Sequence, residues 1–218
     1  MSEQHVGSAR ALRDLLPAEA WDGLTRYPSR TYAADLTLLR QGTEGTHVLA
    51  LTGGMVKVVR TDRDGRQRLL AFRGPGEILG EMALQDGGRR LADVRTMSGC
   101  TASVVPAEDF HRLVLRHRLA YPLARLASSR LREQTEVGDG SVHERLAMAL
   151  LRLVEVSGGT RSFSLTREEL AQHIEVGRNS VSKALARLGP DRVHATKSRI
   201  DVISVEGLRS ALAGFIGV

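Results

Sequence analysis

The segment Thr166–Leu188 constrains the fold of this chain more than any other part of its sequence. It reads TREELAQHIEVGRNSVSKALARL, in which two stretches with apolar residues at helical spacing flank a short turn. Thr166 followed by Glu169 forms a capping box, which favours a helix start. Apolar or small residues occupy the positions where two crossed helices must touch, namely Leu170, Ala171, Ile174, Val176, Val181, Leu185 and Leu188. This pattern predicts a helix-turn-helix, and a plain helical hairpin with a solvated basic face is the alternative.

The second of these helices carries its polar residues on the side away from the apolar contacts. Arginine on that side can pair with guanine O6 and N7, and asparagine with adenine N6 and N7. A hydroxyl group and backbone N–H groups at the helix start suit phosphate oxygens. We therefore predict a DNA-binding set made of Thr166, Arg178, Asn179, Ser180, Ser182, Lys183, Lys197 and Arg199. Glu175 conflicts with the pattern, because it occupies a turn position where φ is usually positive and glycine is favoured.

Basic residues are concentrated in and after this motif. Residues 176–199 contain six arginines and lysines but one acidic residue, while the whole chain has a formal net charge of +6. Such a concentration favours a polyanionic partner such as double-stranded DNA. The residues that follow Leu188 read as two short strands around Lys197-Ser198, which predicts a wing beside the helix-turn-helix.

Short apolar runs broken by glycine extend from about Tyr32 to Pro106. This texture is typical of an all-β sandwich or barrel. Asp64-Gly65 lies between two of the runs and predicts a hairpin there, since a tight primed turn needs positive φ.

Helical spacing returns at Ala107 and, after a break, runs from Leu119 to Val137. The Gly138–Ser141 segment stops this helix and starts another, because its glycines are helix stoppers and Ser141 begins a second capping box. We predict an α+β fold in three parts. These are a β-barrel domain with flanking helices over residues 1–118, a long helix and hinge over residues 119–138, and a winged helix-turn-helix domain over residues 139–218.

The composition excludes several classes of protein. Cys100 is the only cysteine, so we expect a buried, inert thiol, no disulfide within the chain and a reducing, cytoplasmic compartment. The longest apolar run, Leu146–Leu151, is too short to span a bilayer, and the histidines lack paired metal-ligand spacing. The sequence contains no nucleophile elbow, zinc-protease motif or phosphate-binding loop, so we expect no enzyme activity.

Three further segments, read together with the helix-turn-helix, resemble one family over nearly the whole chain. They are Arg40-Gln41-Gly42, Leu51–Val58 and Gly74–Ala83. The family is the cyclic-AMP receptor protein / fumarate–nitrate reduction regulator (Crp/Fnr) superfamily of transcription regulators. The resemblance implies that the barrel is a double-stranded β-helix, a jelly roll of the cyclic-nucleotide-binding type, and that the long helix joins a homodimer. It also implies a two-fold symmetric operator, a barrel effector that tunes DNA affinity, RNA polymerase as a further partner and no membrane contact.

The resemblance further implies a binding site for cyclic AMP or another cyclic nucleotide. Its residues would be Gly80, Glu81, Met82, Ala83, Arg89, Arg90 and Leu91. Glu81 would accept a hydrogen bond from the ribose 2′-hydroxyl, and Arg90 would pair with the phosphate. Leu91 departs from the family's pattern, because the cyclic-nucleotide-binding members carry serine or threonine there.

Two alternatives are compatible with these residues. In the first, Gly80–Ala83 is only a structural turn and Arg90 pairs with Glu81. In the second, the chain is a regulatory module that binds a cyclic nucleotide or another small ligand and has no direct role at DNA. The basic residues between 176 and 199 argue against the second alternative.

Overall fold

The N-terminal part is built from two four-stranded antiparallel sheets, in a computed structural model that describes residues 11–136 and 140–216. The strands are β1 (Ser29–Tyr32), β2 (Thr37–Leu39), β3 (His47–Gly53), β4 (Val56–Thr61), β5 (Gln67–Arg73), β6 (Ile78–Leu79), β7 (Asp93–Thr96) and β8 (Cys100–Pro106). One sheet has the order β1-β8-β3-β6 and the other β2-β7-β4-β5. Apolar side chains from both sheets, such as Leu49 and Val94, form one buried cluster between them. This arrangement confirms the predicted β-barrel.

The β4–β5 hairpin lies where Asp64-Gly65 predicts it. Thr61 pairs with Gln67, and Asp62–Arg66 connect the two strands. Gly65 has a φ of 82°, and its N–H donates to the carbonyl of Asp62 at 3.0 Å. Because Asp64 has no positive φ, the connection is a wider turn than the predicted two-residue primed turn.

Helices cover one side of the barrel and build the C-terminal part. They are α1 (Leu12–Leu15), α2 (Ala18–Thr25), α3 (Glu81–Gln85), α4 (Ala107–Arg116), α5 (Ala120–Glu136), α6 (Val142–Val156), α7 (Arg167–His173), α8 (Arg178–Leu188) and α9 (Val205–Ile216). Leu12, Phe110 and Leu126 are buried against the barrel from α1, α4 and α5. Gly138 and Asp139 of the predicted hinge lie outside the described residues, and Ser141 accepts from the Glu144 N–H at 3.4 Å, as its capping box predicts.

Three strands complete the C-terminal part, in the order β10-β11-β9. They are β9 (Ser162–Phe163), β10 (Val193–Ala195) and β11 (Ile200–Val202). The last two form the predicted wing. The first adds a third strand that nothing in the local sequence marks, because a two-residue strand has too short a pattern to recognise.

The C-terminal part packs directly on the second sheet of the barrel. Leu69 and Phe72 of β5 belong to the same buried cluster as Leu170 of α7. Two ion pairs cross the same boundary, Lys57 with Glu169 at 2.5 Å and Arg68 with Glu175 at 2.6 Å. One apolar core therefore continues from the barrel into the helix-turn-helix.

Candidate nucleic-acid interface and effector pocket

Helices α7 and α8 form the predicted helix-turn-helix. The apolar residues that the motif places at the crossing are buried, with Leu170 and Val181 fully so, and Val176 is half-buried against the same cluster. Glu175 has a φ of 53°, so the turn does impose the left-handed conformation that its position predicts. Its carboxylate accepts from Arg68 of the barrel, a contact that glycine would lack.

The outward side of α8 carries the residues predicted to contact DNA. Arg178, Asn179, Ser182 and Lys183 are exposed, and Ser180 is half-buried at the helix start. The Ser182 hydroxyl donates to the Arg178 carbonyl at 3.2 Å, inside the helix itself. The inner side of α8 is buried, so these polar side chains are held on a rigid surface that faces solvent.

The remaining predicted DNA contacts lie beside α8 and are partly engaged within the protein. The Thr166 hydroxyl accepts from the Glu169 N–H at 3.1 Å and donates to the Glu169 carboxylate at 2.8 Å. Lys197 and Arg199 are exposed on the wing, where Arg199 donates to Asp201 at 2.8 Å. The helix cap therefore occupies the hydroxyl of Thr166, whereas the wing cations face solvent.

Arg167 lies beside the predicted interface, although the sequence analysis did not select it. It opens α7, and its guanidinium donates to the wing carbonyls of Ala195 at 2.9 Å and Thr196 at 3.1 Å. A groove of about 340 Å³ lies next to it, between α8 and the wing, and Ser182 and His194 are among its lining residues. An arginine directly after a helix cap is the available signal, but its carbonyl partners lie 28 and 29 residues away.

Gly80 is required at the turn before α3. Its φ is 87°, and a Cβ there would lie 2.0 Å from Nη1 of Arg90 and 2.8 Å from a methyl carbon of Leu39. Arg90 is buried and donates to the carbonyls of Gly80 and His47, each at 2.5 Å. Burial lowers the pKa of Arg90, and the charge of Glu81 partly counteracts that effect. The arginine and the glycine turn therefore form one packed unit.

Glu81 is buried, and its ion-pair partner is Arg130 of α5. Arg130 also donates to Glu77 and to the carbonyl of Ile78, both at 2.9 Å. Direct pairing of Arg90 with Glu81, one of the two alternatives for these residues, is therefore wrong. The sequence does not mark Arg130, because it lies 49 residues after Glu81 on a helix whose register the pattern leaves open.

The other predicted pocket residues divide between the interior and the surface. Ala83 is buried, whereas Met82 and Leu91 have exposed fractions of 46% and 48%. Arg89 is exposed and donates to the carbonyl of Gly42 at 2.8 Å. Leu91 is therefore about half exposed, in contrast to its buried neighbour Arg90.

Cys100 is buried, and its thiol donates to the carbonyl of Met55 at 3.1 Å. Burial raises the pKa of this thiol, which keeps it protonated and unreactive. Within residues 11–136 and 140–216, no cluster of three or more histidine, cysteine or acidic side chains is arranged to hold a metal ion. In the same described part of the chain, no helix has the length and apolar character needed to cross a membrane.

Comparison with known proteins matches both parts of the chain. Residues 29–117 match the family model of the cyclic nucleotide-binding domain, and residues 144–211 match that of the Crp-like helix-turn-helix domain. The chain is 33% identical to the cyclic AMP receptor protein of Thermus thermophilus over 199 residues, which cover 85% of this chain and 92% of that protein. It is 29% identical to the CRP-like cAMP-activated global transcriptional regulator of Mycobacterium tuberculosis, over 69% of this chain and 72% of that one.

A solved structure supports the same fold. It is a transcriptional regulator of the CRP family from Thermus thermophilus, with a TM-score of 0.68 and 24% identity over 84% of this chain and 96% of that one. The two-sheet barrel, the long helix and the exposed face of α8 thus occur in one chain together with both family models. The chain therefore belongs to the Crp/Fnr family of DNA-binding transcription regulators.

Proposed function

We propose that the protein acts as a homodimer that binds a specific two-fold symmetric operator, with an affinity set by the state of its barrel. The observation that carries this proposal is the outward side of α8. Arg178, Asn179 and Lys183 are exposed there, while Val181 and Leu185 bury the opposite side. A rigid helix with this division suits insertion into the major groove.

We assign different tasks to the residues of this interface. Arg178 and Asn179 read base edges, because their side chains match the donor and acceptor pattern of guanine and adenine. Ser180, Ser182, Lys183, Thr166, Lys197 and Arg199 contact phosphates or position the helix. The basic side chains should make the affinity fall steeply as salt rises.

The test uses an operator selected from a random-sequence library, with random DNA as the comparison. Arg178→Ala should weaken operator binding by about 1–3 kcal/mol and relax the preference at one base pair. Lys197→Ala should weaken binding to both DNAs similarly and reduce the salt slope by about one. Equal losses on both DNAs in both variants would refute the division of tasks. Heparin chromatography gives a second readout. If the wild type eluted from heparin at low salt and bound the operator no better than random DNA, the protein would instead be a ligand-binding module without a role at DNA.

The proposed dimer contact is a stripe along α5. Tyr121 and Leu131 have exposed fractions of 72% and 66%, and Ala124, Ser128 and Thr135 are exposed at three- or four-residue spacing between or beyond them. Such spacing forms one helix face, and small residues on it allow a partner helix to approach closely. A two-fold partner along α5 would present two α8 helices to one side of the DNA, where productive binding needs them about 34–36 Å apart.

Light scattering at micromolar concentration tests this contact. Leu131→Arg should halve the measured mass, because it places a charge in the seam between the helices. Leu36→Arg is the matched control, since Leu36 is an exposed leucine on the barrel, with an exposed fraction of 45%. A monomeric wild type, or a dimeric Leu131→Arg variant, would contradict the proposed seam.

We further propose a cyclic nucleotide as the barrel effector. Arg90 supplies a buried cation for the phosphate, Glu81 supplies a carboxylate for the ribose, and Nε of Arg130 is a buried donor without an acceptor among the described residues. Two relatives are named for cyclic AMP. Calorimetry with cyclic AMP and cyclic GMP tests the proposal, with Arg90→Ala as the variant that should abolish the heat. Absence of heat from the wild type would reject this effector and leave the DNA-binding proposal intact.

The remaining expectations belong to the same proposal. They are the division at residues 118/119 and 138/139, a cytoplasmic location, RNA polymerase as a partner, and regulation without catalysis. The naming of relatives as transcription regulators supports the last of these, regulation without catalysis. Limited proteolysis would test the division, because cleavage between the barrel and the helix-turn-helix should fall near residue 138.

A further inference from the structure

Six charged side chains of alternating sign connect the turn at Gly80 and Glu81 with the DNA-binding domain. In order they are Glu81, Arg130, Glu77, Arg73, Glu133 and Arg152, and we call them the ion chain. After the contact of Glu81 with Arg130, the successive N–O distances are 2.9, 3.9, 2.9 and 2.7 Å. The residues come from α3, α5, β5, the residue before β6, and α6. The ion chain therefore joins the barrel, the long helix and the helix-turn-helix domain.

Glu133 occupies the junction of these three parts. Its two carboxylate oxygens accept from Arg73 of the barrel at 3.1 and 2.9 Å, and one of them also accepts from Nε of Arg152 at 2.7 Å. Burial would raise the pKa of Glu133, but the two arginines more than offset it and lower the pKa, so the carboxylate stays charged. A bidentate contact of this kind fixes the orientation of the guanidinium and carboxylate groups as well as their distance.

A second contact holds α6 against the barrel one helical turn away from Arg152. Gly74 follows Arg73 directly, and a Cβ on it would lie 1.9 Å from the carbonyl oxygen of Val156. The backbone of the barrel thus touches the end of α6. Since α6 and α8 share the buried cluster of Leu150 and Leu185, the position of α6 sets the position of α8, the proposed recognition helix.

The energetics of buried ions suggest what the ion chain contributes. A buried ion pair adds little net stability compared with apolar residues of the same size, because desolvation offsets the attraction. Removal of one partner is costly, because it leaves a charge without compensation. Arg130 and Arg73 therefore depend on the placement of the carboxylates on either side of them. A change at Glu81 alters the compensation of Arg130, and in turn that of Glu77 and Arg73.

We propose that Glu133 is a positioning residue that transmits the state of the Glu81 loop to α6, and through α6 to the recognition helix. The proposal rests on DNA binding by α8 but not on the identity of the effector. A ligand that changes the partner of Glu81 shifts α6 only by its different affinity for the two arrangements of the ion chain.

A double-mutant cycle on operator affinity tests the coupling. Glu81→Gln removes the charge at the first residue of the ion chain, and Arg152→Gln removes the charge at its last residue. The Arg152 side chain is 22% exposed, and its loss leaves the Arg73–Glu133 pair in place. In anisotropy titrations with the selected operator, the DNA affinity of the Glu81→Gln variant should differ from that of the wild type by about fivefold. In the Arg152→Gln background the same substitution should have little effect, because the link is already broken.

The matched control is Arg68→Gln. Arg68 also joins the barrel to the DNA-binding domain, through Glu175, but it lies outside the ion chain. The fivefold effect of Glu81→Gln should persist in that background. Additive effects of Glu81→Gln and Arg152→Gln would overturn the proposal, and so would equal coupling to Arg68→Gln. Circular dichroism at each step shows that the variants are folded.

Hydrogen exchange gives a readout that does not require DNA. Glu81→Gln should speed amide exchange in the peptide Val142–Val156, and Arg152→Gln should do so equally by itself, with no further increase in the double variant. If the wild type bound no DNA, the DNA-binding proposal would fail while this measurement still tested the ion chain. Unchanged exchange of α6 in Glu81→Gln would reject the coupling even if operator binding were intact.

Discussion

His173 makes the stability of the protein depend on pH in a way that its surroundings determine. It ends α7 with an exposed fraction of 3%, and its ring lies edge-on to Phe72 of the barrel, with centroids 4.8 Å apart. Its Nδ1 lies 3.3 Å from the carbonyl oxygen of Leu69. Because a carbonyl can only accept, Nδ1 carries a proton, and burial favours the neutral form of the ring. Burial lowers the pKa of His173, so protonation opposes folding.

The size of the effect follows from linkage. In the unfolded chain the histidine titrates near a pKa of about 6.5. The folded form stays neutral until a lower pH. The contribution of His173 to stability is therefore complete above the unfolded pKa, and it is lost as the pH falls from the unfolded pKa toward the folded pKa. Acidification from pH 7.5 to pH 5.5 therefore removes at most about 1.4 kcal/mol of folding free energy, the limit in which the folded ring stays neutral over that whole range.

Urea unfolding at pH 7.5 and pH 5.5, at one protein concentration, measures this quantity in the wild type and in His173→Gln. Glutamine can still donate to Leu69 but does not titrate. His47 and His143, whose pKa values burial also lowers, are present in both proteins, so their contributions cancel in the comparison. The wild type should lose more stability than the variant, by at most about 1.4 kcal/mol. Equal losses in the two proteins would refute the assignment of a buried neutral ring.

Three further predictions concern stability, each measured by urea unfolding at pH 7.5. Gly80→Ala should cost more than the roughly 1–2 kcal/mol of left-handed backbone strain, because its Cβ also displaces Arg90; an unchanged midpoint would contradict the turn. Leu170→Ala should cost about 2–5 kcal/mol, since the side chain is fully buried, and a loss below about 1 kcal/mol would place it outside the core. Thr166→Ala should cost about 1 kcal/mol through the lost cap of α7, whereas Thr166→Ser, which keeps the hydroxyl, should cost much less.

Local signals in the sequence were sufficient for much of the fold. The capping boxes at Ser141 and Thr166 are present as predicted, because each depends on residues three positions apart. The glycine-broken runs predict a β-barrel for the same reason, since short apolar runs and the glycine turns between them are local properties of the sequence. Even the positive φ of Glu175 follows from its place in the motif, despite the unfavourable residue type.

The predicted effector site shows where such signals end. The family resemblance selects Gly80, Glu81 and Arg90, but it does not identify their partners within this chain. Glu81 pairs with Arg130 on α5, and Arg90 donates to a carbonyl of His47. These contacts depend on how a helix crosses a sheet, and no pattern within a short window of residues encodes that crossing.

The amino-acid sequence by itself determined the barrel, the helix-turn-helix and the outward side of α8, because hydrophobic periodicity and capping act within a few residues of the chain. Only the tertiary structure decided that β5 carries the contacts of Phe72 and Arg73 to the C-terminal part, that Arg167 holds the wing, and that Glu133 joins three parts of the molecule. Those contacts link residues from 19 to 101 positions apart, and the direction of a long side chain in a packed interior is set by its neighbours in space.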